Sequence, residues 1–175
     1  MKSLLITPLV LLVLLASLNV SADLDKGVAA SQEGQYETAF QEFKEAAEQG
    51  HASAQFNLGN MYRVGEGVTQ DEEEALTWYR LAAEQGYAPA QFNLGLMYRY
   101  GDGVLQDDKE AVKWYRLAAE QGASEAQHNL GYMYRYGKGL LKDDKEAVKW
   151  YRLAAEQGIV EAQFNTGVMY ANGEG

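Results

Sequence analysis

The chain has no cysteine. That absence excludes disulfides, a thiol nucleophile, a thiolate metal site and the lipidated cysteine of a lipoprotein anchor. The fold therefore has to be held by apolar packing. Histidine is almost as scarce: His51 and His128 are the whole supply. They form no His-x-x-x-His pair, so a zinc site has little to start from. Basic residues are outnumbered, 15 against 25 acidic, for a formal charge of −10. That balance repels phosphate backbones and argues against nucleic-acid binding, while suiting partners with basic surfaces. A G-x-S-x-G elbow and a phosphate-cradling glycine loop are both missing, which removes the common starting points for acyl and phosphoryl chemistry. The acidic turn Gly101-Asp102-Gly103 with Asp107-Asp108 lacks the alternating ligands of a calcium loop and reads as helix capping.

Long apolar runs are absent except at the start, where Leu4 to Leu18 is interrupted only briefly. With Lys2 ahead of it and Val20-Ser21-Ala22 behind, residues 1–22 are expected to be a secretory signal cut after Ala22, an uncleaved anchor being the alternative. Cleavage would leave 153 residues and a net charge of −11. The expected location is outside the cytoplasm, periplasmic or secreted, in a bacterial envelope. Contact with a membrane is then expected only through the signal segment during export.

What the chain has in abundance is itself. Residues 85–120 match residues 49–84 at 26 of 36 positions and residues 121–156 at 28 of 36. A fixed period of this length marks a stacked repeat array, in which one unit cannot bury its apolar face alone. The organisation expected is a divergent capping unit at 23–48, repeats at 49–84, 85–120 and 121–156, and an incomplete fourth unit at 157–175. Because the last unit stops in the turn where its second helix should begin, a truncated array is expected.

Each unit reads as a helical hairpin. In the first helix, Phe92, Leu94, Leu96, Met97 and Tyr98 fall at three- and four-residue spacings, and Gly101-Asp102-Gly103 ends it. The second helix opens at Asp107 with Glu110 three residues on, a capping-box pattern repeated at Asp71 with Glu74 and Asp143 with Glu146. Its apolar positions are Ala111, Val112, Trp114, Tyr115, Leu117, Ala118 and Ala119, and Gly122 stands at its end. Gly59, Gly95, Gly131 and Gly167 interrupt first helices at a cost of about 1 kcal/mol each relative to alanine, so a close contact is expected there, against the alanine row of the second helix. The recurring Trp78, Trp114 and Trp150 with their following tyrosines read as inter-helix packing.

The A-Q-x-x-L-G-x-M-Y string, the G-x-G turn and the W-Y-R-L-A-A-E-Q-G string resemble the Sel-one-like repeat, a relative of the tetratricopeptide repeat, over residues 49–175. The resemblance implies an all-α fold, a right-handed α/α superhelical solenoid of antiparallel helix pairs with a 36-residue repeat. It also implies a non-catalytic adaptor whose first helices line a concave groove, with no cofactor and no metal. The alternative is a β-lactam-binding or cell-wall-directed enzyme, since cysteine-rich relatives have been linked with β-lactams.

Positions that differ between units are the candidates for ligand contact. On the first helices they form one stripe: Ser53, Phe56, Asn60 and Val64, then Pro89, Phe92, Leu96 and Tyr100, then Glu125, His128, Tyr132 and Tyr136. Arg63, Arg99 and Arg135 lie beside it. Two roles are open to these arginines: holding carboxylates of a bound protein or peptide while the aromatics take its apolar side chains, or pairing with acidic groups of the adjacent unit. Asn57, Asn93, Asn129 and Asn165 do not vary and read as structural hydrogen-bonders.

Overall fold

A computed structural model describes residues 24–174; the expected signal segment lies outside them. All regular structure among these residues is helical. Helix α1 covers 24–32 and is followed by α2 (Tyr36–Glu48), α3 (Ala52–Val64), α4 (Glu72–Glu84), α5 (Ala88–Tyr100), α6 (Asp108–Glu120), α7 (Ser124–Tyr136), α8 (Asp144–Glu156) and α9 (Val160–Asn172). From α2 onward each helix packs chiefly on its neighbours in the chain. Contacts within the hairpins α3–α4, α5–α6 and α7–α8 are more extensive than those that join one hairpin to the next. The result is an all-α solenoid, built from near-local contacts as a repeat array must be.

The second helices α4, α6 and α8 each begin on an aspartate, whereas α2 follows Gln35 with no side-chain cap. Asp107 Oδ1 accepts the N–H of Lys109 at 2.8 Å and of Glu110 at 3.2 Å, and Asp71 and Asp143 do the same for α4 and α8. The expected capping box is only half formed. The backbone N–H of Asp107 is already taken by the Tyr98 carbonyl of α5 at 2.8 Å, and those of Asp71 and Asp143 by Tyr62 and Tyr134. Nothing remains for the glutamate to satisfy, and Glu110 and Glu146 turn to Lys113 and Lys149 instead.

The two glycines of each turn do different work. Gly65, Gly101 and Gly137 cap the first helices with φ between 63° and 82°, a left-handed conformation other residues resist. A Cβ on Gly67, Gly103 or Gly139 would strike the backbone carbonyl of Tyr36, Glu72 or Asp108, the first residues of α2, α4 and α6. The second glycine thus seats each turn on the preceding hairpin.

Gly59, Gly95 and Gly131 also make a close contact, though chiefly not the expected one, and Gly167 makes none because no helix follows α9 to pack on it among the described residues. A Cβ at Gly95 would lie 2.6 Å from the ring of Tyr115, and at Gly59 and Gly131 it would lie 2.8 Å from Tyr79 and Tyr151. Fully buried tyrosines fill most of the space, and of the alanine row only the Ala75 carbonyl comes close, 3.3 Å from a Cβ at Gly59. Tyr79, Tyr115 and Tyr151 are 0% exposed, as are Leu58, Leu94 and Leu130; burying each such leucine contributes about 1.5–3 kcal/mol. The alanines are buried too, with Ala155 only partly covered. Leu117 departs from its expected core role: it is 38% exposed on the outer side of α6.

A side-chain ladder ties the units together. Gln55, Gln91 and Gln127 are nearly inaccessible, and each donates to a carbonyl at the end of the preceding second helix, Ala47, Ala83 or Ala119, at 3.1–3.2 Å. Their own oxygens accept from Gln85, Gln121 and Gln157 at 2.7–2.8 Å. Each buried amide therefore finds partners in two elements, which is what makes its burial affordable.

Candidate ligand notches on the first-helix face

The variable stripe comes together with two notches, each formed where one unit meets the next. The first, about 350 Å³, is lined by Arg63, Leu96, Tyr100, Tyr79 and Asn93, with Asp102 from the Gly-x-Gly turn and Glu72 from the start of α4 among its other walls. The second, about 180 Å³, repeats that arrangement one unit on, with Arg99, Tyr100, Tyr132, Gln106, Asp108 and Lys138. Tyr100 is 62% exposed and Tyr136 53%, so aromatic surface stands open beside both.

Phe56, Phe92 and His128 occupy equivalent positions and pack over the buried Tyr79, Tyr115 and Tyr151, with ring centroids 5.5–6.0 Å apart. Phe56 and Phe92 also line a separate groove of about 520 Å³ with Pro89 and Glu125. His128 Nε2 lies 3.3 Å from Asn165 Nδ2. Burial holds its imidazole below the usual value, Arg99 adds to that lowering, and Glu161 opposes it.

The three arginines have different partners. Arg63 Nε donates to the Tyr79 hydroxyl at 3.2 Å, and that hydroxyl donates to Asn60 Oδ1 at 2.6 Å. Arg135 pairs with Glu174 at 3.5 Å and reaches Asn165 at 3.5 Å, the adjacent-unit role. Arg99 forms no ion pair among the described residues; its guanidinium stacks 4.3 Å from the centroid of Tyr132 and 5.4 Å from that of Tyr100. Tyr132 in turn lies 4.6 Å from Tyr136. The cause is substitution at one aligned position: Asn60 accepts a hydrogen bond, Leu96 cannot, and Tyr132 offers a ring face. In consequence the buried hydroxyls of Tyr115 and Tyr151 make no hydrogen bond of good geometry among the described residues; burial raises both phenols well above the usual range, against an opposing pull from Arg99 beside Tyr115 and Arg135 beside Tyr151.

The asparagines divide as well. Asn165 bonds both His128 and Arg135, whereas Asn93 lines the first notch while reaching Asn60 at 3.5 Å. The sequence reading missed the walls supplied by the turn residues Asp102 and Lys138 and by Glu72 and Asp108. Aligning the middle residue of each Gly-x-Gly turn would have found the first pair. Among the described residues, no helix is long and apolar enough to cross a membrane, and no three side chains of the metal-binding types gather together.

Comparison with known proteins places this architecture. A family model described as the Sel1 repeat matches residues 30–51, 52–87, 88–122, 124–159 and 160–175. A Sel1 repeat protein from Oxalobacter formigenes is 42% identical, with a TM-score of 0.83 over 87% of this chain and 63% of that one. A protective antigen of uropathogenic Escherichia coli with an SLR fold is 43% identical, with a TM-score of 0.86 over 89% of this chain and 34% of that one. Over 53 residues, 30% of this chain and 20% of the other, it is 45% identical to an exopolysaccharide production negative regulator of Rhizobium leguminosarum bv. viciae. The chain spans less than two thirds of the length of each of these relatives. The repeat matches, continuous with the hairpins, glycine seats and glutamine ladder seen here, make the chain a member of the Sel1 repeat family.

Proposed function

We propose that the protein is an exported, non-catalytic scaffold that binds a protein or peptide along the face of its first helices. One observation carries the reading: the notches are walled both by residues that repeat, such as Arg63 and Arg99, and by residues that differ between units, namely Leu96, Tyr100, Tyr132 and the turn residues Asp102 and Lys138. A repeat array offers an extended surface of this kind, and exposed aromatics beside arginine are the side chains that anchor most interfaces. Export rests on residues 1–22, and the relative that is a protective antigen is in keeping with it.

The double variant Arg99→Ala/Tyr100→Ala tests the groove. Tyr100 is exposed and Arg99 lies on the rim of the second notch, so helicity by circular dichroism should be unchanged while partners crosslinked in cells and identified by mass spectrometry are lost. Unchanged capture rejects the groove. Sequencing the exported chain should find Asp23 at its start; a chain still beginning at Met1 rejects cleavage. Turnover of a chromogenic β-lactam by the purified protein would overturn the non-catalytic reading.

A further inference from the structure

The two notches are built on one plan but carry opposite charge. In the first, Arg63 faces two carboxylates, Glu72 and Asp102. In the second, Arg99 shares the walls with Lys138 and one carboxylate, Asp108. The reversal comes from the middle residue of the Gly-x-Gly turn, which is Glu66, Asp102 and Glu174 in three turns and Lys138 in the other. One unit beyond the second notch the corresponding acid, Glu174, pairs with Arg135, whereas Asp102 lines the first notch without an ion pair to Arg63 among the described residues. At Lys138 the acid is replaced by a second cation. Neither Arg99 nor Lys138 has an ion pair among the described residues, although the chain carries 25 acidic side chains.

We infer that the second notch is a receptor for a carboxylate of the bound peptide. This rests on the groove reading above and assigns its polar anchor. The guanidinium carbon of Arg99 lies 4.3 Å from the Tyr132 ring centroid, and a guanidinium presents its N–H donors in the fork that a carboxylate accepts. Lys138 supplies the second charge from the opposite wall, and the exposed ring of Tyr100 lies beside both. The first and third arginines do not compete, because Arg63 is engaged by the Tyr79 hydroxyl and Arg135 by Glu174. The net charge of −10 on the chain repels anions at a distance, so they are admitted only where Arg99 and Lys138 are in reach.

The test uses the whole chain as bait for a random dodecapeptide library, displayed once with free C-termini and once as internal loops. Selected peptides should be enriched in Asp or Glu if a side chain is read, or arise only in the free-end library if the terminal carboxylate is read. Either outcome supports the inference when Lys138→Asp weakens binding by about tenfold or more, the scale of a lost charge-assisted hydrogen bond. The control Asp102→Lys, made in the first notch, should leave that affinity intact. Peptides that bind the face, compete with one another through Tyr100, yet lack an acid or ignore Lys138→Asp overturn the carboxylate receptor while leaving the groove standing. A library that yields no binder to this face overturns both.

Discussion

Replacing Gly95 by alanine puts the close packing of the hairpin to a quantitative test. The new methyl carbon would lie 2.6 and 2.7 Å from Tyr115 Cδ1 and Cε1, whereas carbon atoms in good contact are about 3.5–4.0 Å apart. The ring has nowhere to go, since Tyr115 is 0% exposed and is covered by Phe92. Either α5 and α6 separate by about 1 Å or the ring leaves its rotamer, and overpacking of this kind costs about 1–3 kcal/mol. Against this stands the helix propensity of alanine, worth about 1 kcal/mol over glycine. Gly167 isolates the two effects, because it holds the same place in α9 and a Cβ there meets nothing within 4 Å.

Gly167→Ala should therefore keep the propensity gain alone, and Gly95→Ala should fall below it by about 1–3 kcal/mol. Against the wild type the steric cost less the propensity gain leaves Gly95→Ala a net loss of about 0–2 kcal/mol, which urea unfolding followed by circular dichroism reads as a midpoint lowered by up to about 1 M at a slope of about 1–3 kcal/mol/M. Amide exchange within α9 reads Gly167→Ala, because a terminal helix can open apart from the array. The reasoning fails if the two substitutions shift stability equally, for then the glycine answers no steric demand.

Gln91→Leu removes the donor to Ala83 and the acceptor for Gln121; with about 0.5–1.5 kcal/mol per hydrogen bond, thermal or urea unfolding should show a loss of about 1–2 kcal/mol, and an unchanged midpoint would deny the ladder any role in joining units. His128 provides a pH test. Its folded imidazole is held below its ordinary value by burial, with Arg99 adding to the effect and Glu161 opposing it. The unfolded chain thus binds the proton first as pH falls, and stability drops from the ordinary histidine value of about 6.5 down to the folded value. His128→Phe, the residue of the other units, should flatten that part of the stability profile; an unaltered slope between pH 7.5 and 5.5 would place the titration elsewhere.

The hairpins, their aspartate caps and their glycine stops were legible because each is decided within a dozen residues. The partners of the small residues were not. Gly95 finds Tyr115 twenty residues away, and periodicity marks both as inward-facing without saying which inward residues meet. The capping box failed for a related reason: the N–H it was meant to satisfy had already been taken by a carbonyl of the other helix. The arginines posed the hardest case. Their position was evident, but the partner of each is set by residues distant in sequence, in the same unit for Arg63 and one unit further along for Tyr132 on Arg99 and Glu174 on Arg135.

That division has a physical source. The contacts that join units are directed largely at backbone or at side chains that do not change: the second turn glycine against a carbonyl, and the glutamine against a carbonyl and a second glutamine. Such contacts cost the same in every repeat and place no demand on residues 60, 96 and 132, which are only partly buried. A substitution there can exchange an amide for an isobutyl group or a phenol while the stack keeps its register. If the notches bind as proposed, stability and recognition occupy different atoms of the same helix. A reversal as large as Asp102 to Lys138 is accommodated between adjacent units of one chain, and on that reading the ligand taken is limited by notch geometry rather than by folding free energy.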